Sequence, residues 1–148
     1  TLPKIENKEK TATFKEIVEL ALDKPSPRHP AFSMWEEMES GRSYGMCRTF
    51  SHAVWESLVA KGYDARIVHS SDPDNNTHQY ILVRESDEEV IVDPSIGQFI
   101  ESYNRPFIGT RDELKKLVLD YSTTIINTKS KNNPLRSFQR IWGDESSG

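Results

Sequence analysis

The sequence has a single cysteine, Cys47, among 148 residues. One thiol excludes a disulfide within the chain and every metal site that needs two sulfur ligands. No apolar run is long enough to cross a bilayer, and the first residues show no signal-peptide pattern. Lysine and arginine form no cluster, and the net charge is -4 at pH 7. We therefore expect no membrane partner, no nucleic-acid partner, and no metal or other cofactor.

The hydrophobic pattern predicts one α+β domain, spanning residues 1–148, in which helices flank a small antiparallel sheet. Residues 1–10 and 143–148 are expected to be flexible. The pattern predicts four helices: from residue 11 to the prolines at 25 and 27, over 31–38, over 47–61 and over 110–121. A final short helix is expected from Pro134 onward, carrying Leu135, Phe138 and Trp142. Strands are predicted over 65–68, 80–84 and 89–93. In the second helix, Phe32, Trp35 and Met38 are expected to share one side.

Cys47 stands at the predicted start of the third helix, which Gly62 should end. A cysteine attacks a carbonyl only as a thiolate, and the unpaired N–H groups of a helix N-terminus favour negative charge. Gly45 permits the tight turn that such a position needs. The backbone N–H of Cys47 is then a candidate donor to an oxyanion.

His78 and Asp93 lie at the edges of two predicted strands joined by a tight turn at Ser86-Asp87-Glu88. The midpoint of positions 78 and 93 is 85.5, so an antiparallel hairpin is expected to place the two residues opposite each other. Asp93 would then orient the imidazole and stabilise its charged form. Taken singly, each residue has an ordinary structural explanation; their order and pairing favour a Cys47, His78 and Asp93 triad.

The same residues resemble the transglutaminase-like branch of the papain-like fold. That family carries Tyr-Gly-Gln-Cys-Trp-x-Phe at its nucleophile helix, then Gly and Ala-Arg, then His-x-aromatic, and then Asp-Pro-Ser or Asp-Pro-Thr. The matching residues here are Tyr44-Gly45-Met46-Cys47-Arg48-Thr49-Phe50, Gly62, Ala65-Arg66, His78-Gln79-Tyr80 and Asp93-Pro94-Ser95. The resemblance covers about a third of the chain. Met46 and Arg48 depart from the family pattern, where it has glutamine and tryptophan.

The resemblance implies Cys47 as nucleophile, His78 as base and Asp93 as orienting acid, in a helix-plus-sheet core. It also implies attack on a carboxamide or peptide bond of a protein or peptide substrate through a thioester. Deamidation of protein glutamine, as in bacterial glutamine deamidases, or transamidation is the leading expectation. Tyr44, Met46 and Trp35 are weaker candidates for lining the oxyanion or substrate site.

Two alternatives stay open: a cysteine peptidase with the same triad, and a binding module on this fold without thiol chemistry. The resemblance fits a protein that is secreted or delivered to a target cell, and otherwise one of the cytoplasm. The sequence does not indicate an oligomeric state.

Overall fold

The computed structural model describes residues 14–43, 45–71, 77–121 and 134–143. The chain has an α+β fold, as the sequence pattern predicts. The helices are α1 (residues 14–22), α2 (Met34–Glu39), α3 (Cys47–Ala60), α4 (Arg111–Asp120) and α5 (Pro134–Phe138), with a 3₁₀ helix at Ile96–Gln98 and a π-helical turn at Gln139–Gly143; the strands are β1 (Asp64–Ser71), β2 (Thr77–Glu85), β3 (Glu88–Asp93) and β4 (Phe107–Gly109). The expected flexibility of 1–10 and 144–148 lies outside the described residues. Gly143 closes the π-helical turn.

The four strands form one antiparallel sheet in the order β1-β2-β3-β4. The β2–β3 hairpin turns through Ser86 and Asp87, and Ser86 adopts a φ of 54°. Glu88, which was expected in the turn, is the first residue of β3. Strand β4 was not predicted, because three residues are too few to show an alternating pattern. Strand β1 is longer than the predicted 65–68 and extends to Ser71.

Alternate side chains of the sheet enter two separate hydrophobic clusters. On the first face, Tyr80, Leu82 and Ile91 pack with α4, α5 and the π-helical turn. On the second face, Ile81 and Val83 pack with α1, α2 and α3. The sheet therefore lies between two layers of helices, and none of the helices described is long and apolar enough to cross a membrane.

Helix α3 confirms the prediction made from its apolar spacing. Phe50, Val54 and Leu58 are fully buried against the sheet. The helix ends at Ala60, and Gly62 follows with a φ of 90°, a left-handed conformation that glycine adopts at little cost.

Helix α2 begins later than predicted, and its buried side is different. Ser33 caps it, accepting a hydrogen bond from the Glu36 N–H, so Phe32 precedes the helix and is 41% exposed. Met34, Glu37 and Met38 are buried, so of the predicted trio Met38 lies in the core, Trp35 is half-buried and Phe32 is outside the helix. The capping serine fixed the start of the helix, and the start fixed which residues face the core.

The C-terminal helix is also shorter than predicted. Helix α5 ends at Phe138 and continues as the π-helical turn. Phe138 and Trp142 are buried, as expected, whereas Leu135 is 48% exposed.

Candidate active site

The structure brings the three predicted catalytic residues together. Cys47 is the first residue of α3, His78 is the second residue of β2, and Asp93 is the last residue of β3. The His78 Nε2 atom lies 2.7 Å from the Asp93 Oδ2 atom, and both side chains are fully buried. Cys47 is only partly buried, so its thiol lies at the border between the core and solvent.

The hairpin register differs from the expected one by two residues. Ile81 pairs with Val92, so Asp93 falls beside Tyr80 and not directly opposite His78. A displacement of two residues keeps both side chains on the same face of the sheet, whereas a displacement of one would have separated them. His78 and Asp93 therefore interact as a diagonal pair, which long polar side chains can span.

The second nitrogen of the His78 ring is directed toward Cys47. Because Nε2 is hydrogen-bonded to Asp93, Nδ1 is the atom available to the Cys47 thiol, with which His78 forms a hydrogen bond. The Gln98 Nε2 atom also lies 3.0 Å from Nδ1. The ring itself is held edge-on against Phe99, with centroids 4.7 Å apart.

Cys47 is anchored to β2 at the point where β3 has ended. The Ser51 hydroxyl, one turn into α3, donates to the Gln79 carbonyl at 3.0 Å. The Gln79 backbone N–H in turn interacts with the Cys47 sulfur. The Gln79 N–H and carbonyl lie beyond the end of β3, and the first turn of α3 provides their hydrogen-bonding partners. These two contacts hold the Cys47 thiol beside His78.

The electrostatics of the site favour a charged pair. Burial alone would lower the pKa of His78, but the Asp93 charge and hydrogen bond raise it to about 9. Burial alone would raise the pKa of the Cys47 thiol, but the contacts with His78, with the Gln79 N–H and with Gln98 outweigh it and lower that pKa below its usual range. The two shifts together favour a thiolate beside an imidazolium.

The Asp93 carboxylate has four hydrogen-bonding partners: the His78 ring described above, the Ser95 N–H and hydroxyl, and the Trp142 indole. The Ser95 N–H and hydroxyl lie 3.2 and 3.4 Å from Oδ1, while the Trp142 indole N–H donates to Oδ2 at 2.7 Å. The Ser95 contact is an Asx-type turn that the Asp-Pro-Ser motif could have predicted. The Trp142 contact spans 49 residues, and sequence reasoning assigned Trp142 only to the core.

Gln98, in the 3₁₀ helix, is a second residue that sequence reasoning missed. Its Oε1 atom accepts a hydrogen bond from the Gly45 N–H at 3.3 Å, and its amide nitrogen reaches both His78 Nδ1 and Cys47. Gln98 therefore joins the loop before Cys47 to the His78 ring. Gln98 lies five residues after Asp93 and outside the sequence motifs that contain Cys47, His78 and Asp93, so only the fold brings it to the thiol.

The loop that leads to Cys47 is fixed from the opposite side by a buried carboxylate. Glu37 accepts a hydrogen bond from the Ser26 hydroxyl, and its Oε2 atom lies 3.0 Å from Arg28 and 3.5 Å from Arg42. Arg28 also donates to the Arg42 carbonyl. These contacts tie α2 to the loop, and Gly45 then turns the chain into α3 with a φ of 75°.

Of the three weaker candidates, Met46 and Trp35 place their side chains away from this site. Tyr44 lies outside the described residues. The Met46 side chain is 4% exposed and packs in the second-face cluster, so it contributes to the core. Trp35 is half-buried and lines a cavity of about 570 Å³ with residues of α1, including Glu16 and Leu20.

No family model matches the chain, and no curated protein matches it. Among solved structures, the chain is similar to the catalytic domain of the Salmonella virulence factor SseI, with a TM-score of 0.46 and 15% sequence identity over 88% of this chain and 79% of that one. A likeness at this level carries no argument about function. Among the residues described, no group of three or more His, Cys, Asp or Glu side chains is arranged to hold a metal ion.

Proposed function

We propose that this chain is a thiol enzyme that attacks a carboxamide through a thioester, with protein-glutamine deamidation or transamidation as its reaction. The observation that supports this most directly is the buried His78–Asp93 pair, in which Nδ1, the ring nitrogen not bound to Asp93, faces the Cys47 thiol beside the Gln98 amide. A histidine held in this way accepts the thiol proton and keeps the charge that stabilises the thiolate. We propose a transglutaminase-like, papain-like core for the same reason.

The reaction follows from the positions of these groups. The Cys47 thiolate adds to the carboxamide carbon, and the carbonyl oxygen becomes an oxyanion. When this intermediate collapses, the C–N bond breaks, and the proton on His78 passes to the leaving nitrogen, which departs as ammonia. A water molecule, deprotonated by His78, then attacks the thioester and releases a carboxylate and the thiol. An amine in place of water gives a new amide.

We assign two hydrogen-bond donors to the oxyanion. The first intrahelical bond of α3 runs from the Phe50 N–H to the Met46 carbonyl, so the Cys47 N–H has no acceptor within the helix. The Gln98 amide nitrogen interacts with the Cys47 sulfur and therefore lies beside any carbonyl bound there. Together they offer a backbone and a side-chain donor to the developing charge.

A protein glutamine suits this arrangement because Cys47 is partly exposed. A side chain extended from the surface of another protein can reach the sulfur, and the small leaving group needs no further binding site. Nucleic acid and membrane are not proposed as partners.

The Cys47→Ala variant tests the proposal. We expect it to fold as the wild type does and to lose all turnover, because no other thiol exists. Candidate proteins would be incubated with each form and analysed by mass spectrometry for Gln-to-Glu conversion, with and without an added primary amine. Thermal melting of both forms is the control for folding.

The outcomes separate the alternatives. Cleaved chains in place of Glu would identify a cysteine peptidase, and amine incorporation would identify transamidation. Activity retained by Cys47→Ala would exclude the thiol mechanism. A Cys47 that alkylates with a pKa near 8.5, as a free cysteine does, would indicate a binding module.

A further inference from the structure

We propose that Trp142 is a positioning residue of this site: its indole N–H holds the Asp93 carboxylate and limits how strongly that carboxylate attracts the proton of His78. The inference rests on the proposed thiol chemistry, because it assigns a role within the same site.

The indole shares one carboxylate oxygen with the imidazole. The Trp142 Nε1 and His78 Nε2 atoms each lie 2.7 Å from Asp93 Oδ2. The two rings stand almost perpendicular, with centroids 6.2 Å apart. Trp142 is 1% exposed, so water does not compete for its N–H.

The position of the indole is set by contacts from two other parts of the chain. The Arg111 Nε atom at the start of α4 donates to the Trp142 carbonyl at 2.8 Å. Phe99, which packs edge-on against His78, also packs edge-on against the indole at 5.5 Å. The contact with Asp93 therefore belongs to a packed cluster and is not an isolated surface bond.

A hydrogen-bond donor on Asp93 Oδ2 changes the electrostatic potential at the His78 ring. The positive end of the indole dipole lies against the carboxylate and reduces the negative potential at the imidazole. It also takes a lone pair that would otherwise serve His78 alone. An indole N–H donates at every pH, so this restraint does not titrate. Loss of the indole N–H should leave His78 more basic and Asp93 less firmly oriented.

The test compares Trp142→Phe with Trp55→Phe. The Trp55 indole donates to the Ala65 carbonyl at 2.9 Å, so the control also loses one indole hydrogen bond, but it does so between α3 and β1. His78 would be titrated by NMR with ¹⁵N-labelled histidine, its signals being those absent from His78→Gln. We expect the midpoint to rise by about one pH unit in Trp142→Phe and to stay unchanged in Trp55→Phe.

Kinetics give a second readout. We expect kcat of Trp142→Phe to fall about tenfold with KM unchanged, because the base is misoriented while substrate contacts remain. A Trp142→Phe variant with a lowered melting temperature, but with the His78 titration and kcat of the control, would overturn the proposal.

If Trp142→Phe does not fold, the wild type still decides the question. The indole proton of Trp142 should shift at the midpoint of the His78 titration, and an indole signal that ignores this titration would refute the coupling. A wild-type Cys47 that alkylates like a free thiol would count against the proposed function alone, since the His78 titration still tests Trp142.

Discussion

Replacing Asp93 by asparagine removes the negative charge beside His78 while keeping the size of the side chain. The ordinary pKa of histidine is 6.5, and His78 is raised to about 9 although burial acts in the opposite direction. The difference between these two pKa values corresponds to roughly 3 kcal/mol in favour of the imidazolium, and most of it is due to Asp93. Without that charge, burial would leave His78 neutral at pH 7, and the thiolate would lose its partner.

The Asp93→Asn substitution should lower both kcat/KM and the free energy of unfolding. A change of roughly 3 kcal/mol corresponds to about a 100-fold decrease in kcat/KM. In addition, both Asp93 oxygens accept hydrogen bonds, from Ser95 on one side and from His78 and Trp142 on the other. An amide has only one accepting oxygen, so a donor is left unsatisfied at a cost of about 1–3 kcal/mol.

The assay is the rate of alkylation of Cys47 by iodoacetamide between pH 5 and 10, a range that brackets the ordinary thiol value of about 8.5. In the wild type, the apparent pKa of the thiol should lie below that value, and in Asp93→Asn it should rise to it. Asp87→Asn is the matched control, because Asp87 lies in the exposed turn of the same hairpin. An Asp93→Asn profile that coincides with the wild type and with Asp87→Asn would refute the reasoning.

Two further predictions concern pH and the oxyanion. Because the pKa of His78 is higher in the folded than in the unfolded chain, the stability it contributes is fully present below pH 6.5 and is lost as pH rises through about 9. Urea unfolding would be measured in a Cys47→Ala background, where no thiol titrates and the contribution of Cys47 to the raised pKa of His78 is removed while that of Asp93 remains. The free energy of unfolding should fall as pH rises from 6.5 toward 9, and His78→Gln should remove most of that fall. Gln98→Leu should lower kcat about 100-fold through loss of an oxyanion donor, with little change in KM, whereas Gln139→Leu, an exposed glutamine of the π-helical turn, should not. Equal kcat values for the two leucine variants would exclude an oxyanion role for Gln98.

Local pattern was sufficient for the elements that carry Cys47, His78 and Asp93. The apolar spacing of Phe50, Val54 and Leu58 fixes a helix with Cys47 at its start, and Gly62 fixes where it ends. The alternation through β2 and β3 fixes a hairpin with His78 and Asp93 near its open end. Even the two-residue error in register kept both side chains on one face, because the period of a strand is two.

Local pattern failed where a capping residue or a short element decided the outcome. The side of α2 that faces the core depends on Ser33, which starts the helix three residues later than its apolar residues indicate. Strand β4 exists through its pairing with β3, and three residues carry no periodicity of their own.

The sequence by itself determined which residue types could do chemistry and on which elements they lie, because short-range spacing sets helix starts, strand faces and turns. Only the tertiary structure decided what surrounds them. Gln98 reaches the thiol because the chain after β3 turns back toward α3, and Trp142 reaches Asp93 because the C-terminal turn packs on the first face of the sheet. Such contacts depend on how layers stack, and no spacing along the chain encodes them.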